Sequence, residues 1–175
     1  MTAARVLAVT VLGHDRPGII ADTTRLLAGL GANLEDSSMS ILRGHFAMVL
    51  VASADAAPAE VERALAPLSS DGRLLVSVRE VPPEPPVPAL GSTYLLSVHG
   101  ADRLGIVAAV TAVVAEAGGN ITDLSTRLSG ELYVLLAEVD LAGTVDPEQL
   151  SRDLAAVGAD LGVEVSLRVL EPDVL

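Results

Sequence analysis

Apolar positions recur along this chain with two periods, and the switches between them mark the elements. Arg5 to Leu12 carries the apolar run V-L-A-V-T-V-L and stops at Gly13, a length and a boundary that suit a buried strand. Ile19, Thr23, Leu26, Leu27 and Leu30 then recur at three- and four-residue spacing, the stripe of an amphipathic helix that Gly29 and Gly31 end. Asp15 ahead of Arg16-Pro17-Gly18 reads as an acidic cap with proline in the first turn. From Asn33 to Leu42, Ser37, Met39 and Ile41 alternate with Asp36, Ser38 and Ser40, the period of a half-buried strand. Arg43-Gly44-His45 supplies a turn, and the continuous apolar run Phe46 to Ala52 completes a hairpin as a central strand. Pro58 opens a second helix with Val61, Leu65 and Leu68 on one side. Asp71-Gly72 closes it, and Leu74, Val76 and Val78 mark a fourth strand.

The order then returns. Thr93 to His99 is a strand, and Leu104 to Ala117 a helix whose stripe is Ile106, Val107, Val110, Val113, Val114 and Ala117. Thr122, Leu124, Thr126 and Leu128 line one face of the next strand. Gly130 turns a hairpin one residue shorter than the first, into Leu132 to Val139. Asp146-Pro147 starts a helix with Leu150, Leu154, Val157 and Leu161 on one side, and Val163, Val165, Leu167 and Val169 alternate along a final strand. Laid over itself with a shift of 87, Gly13 to Ser38 matches Gly100 to Ser125 without a gap and is identical at 12 of 26 positions. The matched pairs include Asp15/Asp102, Arg16/Arg103, Gly18/Gly105, Ile19/Ile106, Asn33/Asn120 and Asp36/Asp123.

Strand, helix, strand, strand, helix, strand, written twice, predicts an α+β chain of two tandem ferredoxin-like βαββαβ domains. Each is a four-stranded antiparallel sheet with two helices on one face. The expected domains are residues 1–81 and 93–175, joined by a Pro-rich linker, 82–92. Pro82 to Pro88 holds five of the ten prolines and can neither join a sheet nor continue a helix. In polyproline II form, at about 3.1 Å per residue, it would span roughly 20 Å as a semi-rigid spacer.

Composition narrows the function. The net charge of −12 repels phosphate backbones, the 11 basic residues are all scattered arginines, and the aromatics are only Phe46, Tyr94 and Tyr133. Direct nucleic-acid binding is therefore not expected. No cysteine is present for a disulfide, a thiolate or a Cys-based metal site, and no lysine for a Schiff base. His14, His45 and His99 do not repeat between the copies and share no ligand spacing, so no metal is expected. The N-terminal apolar run is too short for a membrane span and lacks a cleavage pattern. The expectation is a soluble, cytoplasmic, non-catalytic protein without cofactors.

The repeated stretch carries the candidate chemistry. A strand-to-helix turn leaves the backbone N–H groups available in the region Arg16 to Ile20 unpaired, with partial positive charge, where a small carboxylate fits. Asp15 can accept from an ammonium group, and Asn33 can donate and accept. Together they match the two charges of an α-amino acid, and Asp102, Gly105, Ile106 and Asn120 repeat the arrangement. Each residue also has a structural reading. Asp15 and Asp102 serve equally as helix caps, Gly18 and Gly105 as close-packing positions, and Asn33 and Asn120 as turn residues that tolerate left-handed backbone. Arg16 and Arg103 are expected to project into solvent, and Asp36 and Asp123 to lie on the polar faces of their strands.

The motifs G-H-D-R-P-G-I-I and A-N-L-E-D-S-S-M, then G-A-D-R-L-G-I-V and G-N-I-T-D-L-S-T, resemble the ACT domain, a small βαββαβ regulatory module. Two tandem copies without a catalytic domain resemble the glycine cleavage system transcriptional repressor family. That resemblance implies a sensor of glycine or another small amino acid, bound where the first turn of one module faces the second strand of a neighbour. Carried over, the turn falls on His14, Asp15, Arg16, Pro17, Gly18 and Ile19, and the strand start on Asn33, Leu34, Glu35 and Asp36. In the second copy these are Ala101, Asp102, Arg103, Leu104, Gly105 and Ile106, with Asn120, Ile121, Thr122 and Asp123. Leu104 stands where the pattern has proline, leaving the second turn less preorganised. The resemblance further implies a homodimer and a protein partner, a DNA-binding regulator. A regulatory subunit of an amino-acid metabolic enzyme and a ligand-free dimerisation module are the rival readings.

Overall fold

The computed structural model describes residues 4–82 and 91–170; the expected proline spacer falls, apart from its ends, on residues 83–90, outside the described residues. The chain divides into two compact units, Met1–Pro86 and Val87–Leu175. In the first, β1 (Arg5–His14), α1 (Ile19–Gly29), β2 (Asn33–Leu42), β3 (His45–Ala54), α2 (Pro58–Leu65) and β4 (Leu74–Glu80) follow one another, with a 3-10 turn over Ala66–Ser69. In the second the elements are β5 (Gly91–Ala101), α3 (Ile106–Glu116), β6 (Asn120–Ser129), β7 (Leu132–Ala142), α4 (Pro147–Leu161) and β8 (Val163–Val169). The sheets have the order β2-β3-β1-β4 and β6-β7-β5-β8, antiparallel throughout. This is the expected ferredoxin-like arrangement in each unit.

Period-two burial builds each core. Leu7, Val9 and Val11 of β1 and Phe46, Met48, Leu50, Ala52 and Ala54 of β3 point to one side of the sheet. They are covered there by Ile19, Thr23 and Leu27 of α1 and by Val61, Leu65 and Leu68 of the second helical segment. Each fully buried Leu, Ile or Val contributes about 1.5–3 kcal/mol by leaving water. The second core repeats this with Leu96 and Val98, with Leu135, Ala137, Val139 and Leu141, with Ile106, Val110 and Val114, and with Leu150 and Leu154.

Several expectations fail in instructive ways. Ser37, Met39 and Ile41 do share the helix-side face of β2, but that face is not half-buried: Met39 and Ile41 are 42% and 45% exposed. β2 is the sheet edge, and α1 does not cover it. Leu124 and Leu128 on β6 are left open at 39% and 44%, and Val107, expected in the apolar stripe of α3, is 37% exposed. In both edge strands the register slips by one residue, between Leu34 and Asp36 and between Ile121 and Asp123. The second hairpin is not shorter: Arg43-Gly44 and Gly130-Glu131 are both two-residue loops, differing only in which position holds the glycine. Strand β5 starts at Gly91, ahead of the expected Thr93, and Gly29 lies inside α1, leaving Gly31, at φ 70°, to end it. No helix among the described residues is long and apolar enough to cross a membrane.

Candidate ligand-binding site

The turn between β1 and α1 is set by its glycine. Gly18 adopts φ 90°, ψ −5° and is itself the helix cap, with no side-chain hydrogen bond to the first helical turn. Those angles are the third position of a type II turn, and Pro17 occupies the second, where its ring presets φ. Asp15 is therefore not the N-cap, Pro17 precedes the helix, and the exposed N–H groups belong to Ile19 and the two residues after it. Gly105 repeats the geometry at φ 92°, ψ −1°, so Asp102 is not a cap either and Leu104 leaves the turn unchanged. A Cβ on Gly18 would find nothing closer than an Asp22 carboxylate oxygen at 3.9 Å, and one on Gly105 nothing within 4 Å. The glycines are there for the left-handed backbone, not for close packing.

Around the first turn lies a groove of about 470 Å³ lined by Asp15, Arg16, Gly18, Ile19, Ile20, Ala21, Met39, Ile41 and Phe46. Its counterpart, about 520 Å³, is lined by Asp102, Arg103, Leu104, Gly105, Ile106, Val107, Ala108 and Tyr133. The uncovered apolar row of β2 thus forms one wall of the first groove, opposite a helix N-terminus whose unpaired N–H groups carry partial positive charge. Met39, Ile41 and Phe46 were not among the candidate site residues read from the sequence. The helix-side alternation of β2 together with its place at the sheet edge marks Met39 and Ile41, and pairing across the hairpin adds Phe46 beside Ile41.

The two grooves differ in how the turn is held. Arg16 does not project into solvent: it donates to the Pro17 carbonyl at 3.3 Å and to Asp22 at 3.5 Å. Arg25 donates to the other Asp22 oxygen at 2.7 Å. The hydrogen bond from Arg25, with Arg16 beside it, holds the Asp22 carboxyl below its ordinary value. In the second copy Ala109 and Ala112 stand at these positions, and Leu104 is fully exposed at the tip of the turn.

The first residues of β2 lie far from this turn. Asn33 pairs with Ser53, and Ser53 with Val6, which is eight positions along β1 from His14. At about 3.3 Å per residue that is roughly 26 Å. Leu34 and Asp36 sit at the same far end, as do Asn120, Ile121 and Asp123 in the second sheet. One copy therefore does not bring His14, Asp15, Arg16, Pro17, Gly18 and Ile19 together with Asn33, Leu34 and Asp36. Nor are Asn33 and Asn120 left-handed turn residues: among the described non-glycine residues only Arg43 has positive φ. Asp36 is exposed and accepts from the N–H of Ser37 at 2.8 Å.

Register also brings together two histidines that sequence kept apart. His14 and His45 face each other across β1 and β3, one position on from the Gly13–Phe46 pair, their ring centroids 5.3 Å apart. No group of three or more His, Asp or Glu among the described residues is placed to hold a metal ion.

The ACT domain family model matches residues 5–79 and again residues 92–168. Over 180 residues the chain is 25% identical to the glycine cleavage system transcriptional repressor of Escherichia coli K12, spanning 97% of this chain and 93% of that protein. A UPF0237 protein of Methanocaldococcus jannaschii is 39% identical over 75 residues, which is 42% of this chain and 83% of the relative. Among solved structures, an unknown protein from Galdieria sulphuraria is similar with a TM-score of 0.79 at 31% identity, over 96% of this chain and 99% of that one. With both halves matched and both sheets in the expected order, the protein belongs to the ACT domain family, as a tandem pair of ACT domains.

Proposed function

We propose that this protein is a non-catalytic, amino-acid-responsive regulator whose effector site is completed only when the first turn of one ACT copy meets the second strand of another. The observation that carries this is the register, which puts the start of β2 eight positions, roughly 26 Å along β1, from the His14 end where the turn begins. Both halves of the site recur in both copies, so each copy can supply what another lacks. In this reading the effector carboxylate rests on the N–H groups that begin α1. Its ammonium group meets Asp15, with Asn33 and Asp36 of the facing copy closing the site. The exposed row Met39 and Ile41 favours a small effector, because a neighbouring copy that covers the row also narrows the groove. Similarity over nearly its full length to a glycine cleavage system transcriptional repressor supports the regulatory part of this reading; in it the protein is a cytoplasmic co-regulator that works through protein contacts, as a homodimer, with glycine or a similar amino acid as effector.

A thermal-shift series of the purified protein against the proteinogenic amino acids, repeated on Asp15→Ala, tests the reading. Ligand at about a hundred times its dissociation constant adds roughly 2.7 kcal/mol to the folded state. A rise in Tm with one amino acid that disappears in the variant is the expected result. No rise with any of them at millimolar concentration defeats the sensor and leaves an assembly module.

A further inference from the structure

The second unit has a groove that the effector site does not use. It runs between the C-terminal end of α3 and the start of α4, encloses about 470 Å³, and has Val113, Ala117 and Val145 as its floor. All three pack on the core from outside and stay half-buried, so the groove presents apolar surface to solvent. Its rim carries the exposed carboxylates of Glu116, Asp146 and Asp153, and no basic residue lines it. The cation nearest in sequence, Arg152, is turned to Gln149 at 2.9 Å and Glu148 at 4.0 Å. Asp146 accepts from the N–H groups of Glu148 and Gln149, and Asp153 from the Gln149 amide at 2.8 Å. Glu116 makes no ion pair among the described residues. The first copy differs at these positions: Gly29 stands where Glu116 does, and α2 is capped by Ala57 without a side-chain bond.

An apolar floor inside a ring of carboxylates, in a chain of net charge −12, selects its occupant by charge. We propose that this groove receives a segment of a partner protein in which apolar side chains are flanked by Lys or Arg. The apolar residues fill the floor and the cations meet Glu116 and Asp153. The inference rests on the regulatory reading only in that a regulator needs a partner; it does not depend on the effector site.

The test is fluorescence anisotropy of a labelled amphipathic Leu/Lys peptide with helical spacing, titrated with the full-length protein at physiological salt. A Ser/Lys peptide of equal charge is run beside it. Glu116→Gln/Asp153→Asn is compared with Glu60→Gln/Glu62→Gln, two exposed acids on the other unit that change the net charge equally. The Leu/Lys peptide is expected to bind, with affinity roughly tenfold weaker in the groove variant and unchanged in the control variant. The proposal is overturned if both variants weaken binding alike, if the Ser/Lys peptide binds as well, or if the Leu/Lys peptide does not bind. Failure of the effector reading would show instead in the amino-acid thermal shifts, which neither peptide touches.

Discussion

Replacing Gly18 by alanine isolates a purely conformational cost. The residue sits at φ 90°, and the space a methyl group would enter is open to 3.9 Å. An L-residue in left-handed backbone costs about 1–2 kcal/mol. The lower entropy of the unfolded alanine chain returns some of it, about 0.4–1 kcal/mol. The net expectation is a loss of about 1 kcal/mol, and the same for Gly105→Ala in the second unit, where the space is also empty. Gly13→Ala supplies the contrast, because its Cβ would stand 2.0 Å from the carbonyl oxygen of Arg73, the acceptor of the His14 N–H. Strand β4 would have to move away from β1, at about 3 kcal/mol. Urea unfolding followed by circular dichroism, with each unit fitted as its own transition, reads both. With a slope of about 1 kcal/mol per molar urea, Gly18→Ala should lower the midpoint of the first unit by about 1 M. A shift below about 0.2 M, or one equal to that of Gly13→Ala, refutes the argument that backbone conformation alone keeps glycine here.

Two further outcomes follow from single side chains. Asp146→Ala removes a carboxylate that accepts from two N–H groups at the start of α4, and should cost the second unit about 1 kcal/mol in the same assay. Asp22 is held below its ordinary value of 3.8 by Arg25 and Arg16, so its contribution is present above that value and is lost as pH falls through the lower folded value. Urea midpoints of wild type and Asp22→Asn should accordingly differ at neutral pH and converge below pH 3.8; a constant difference across that range removes the ion-pair explanation.

Element order and strand faces were legible because periodicity reports directly which side of an element each residue takes. Met39 and Ile41 share a face as expected, yet alternation cannot tell whether any layer covers that face, and at the edge strand none does. The segment Asp15-Arg16-Pro17-Gly18 reads equally as a capped helix start and as a type II turn; the left-handed glycine decides for the turn. Arg16 finds Asp22 six residues on, outside the three- and four-residue spacings by which helix pairs are recognised, because the turn folds back over the helix. Asp15 and Asn33 were grouped because both recur. Only the strand register shows how far apart one copy holds them.

Strands β2 and β6 share a slipped register. A protein with one exposed ten-residue edge can pair once and stop; a chain with two can go on adding copies, as a fibre does. In both strands the extra residue falls at the same place, beside a carboxylate, Asp36 in one and Asp123 in the other. That kink bends the edge and puts negative charge where a flat, continuous ladder would need neutral backbone. Growth by endless edge addition is thereby disfavoured, and the same one-residue insertion that spoils a fibril template leaves the apolar half of the strand free for a single, closed pairing.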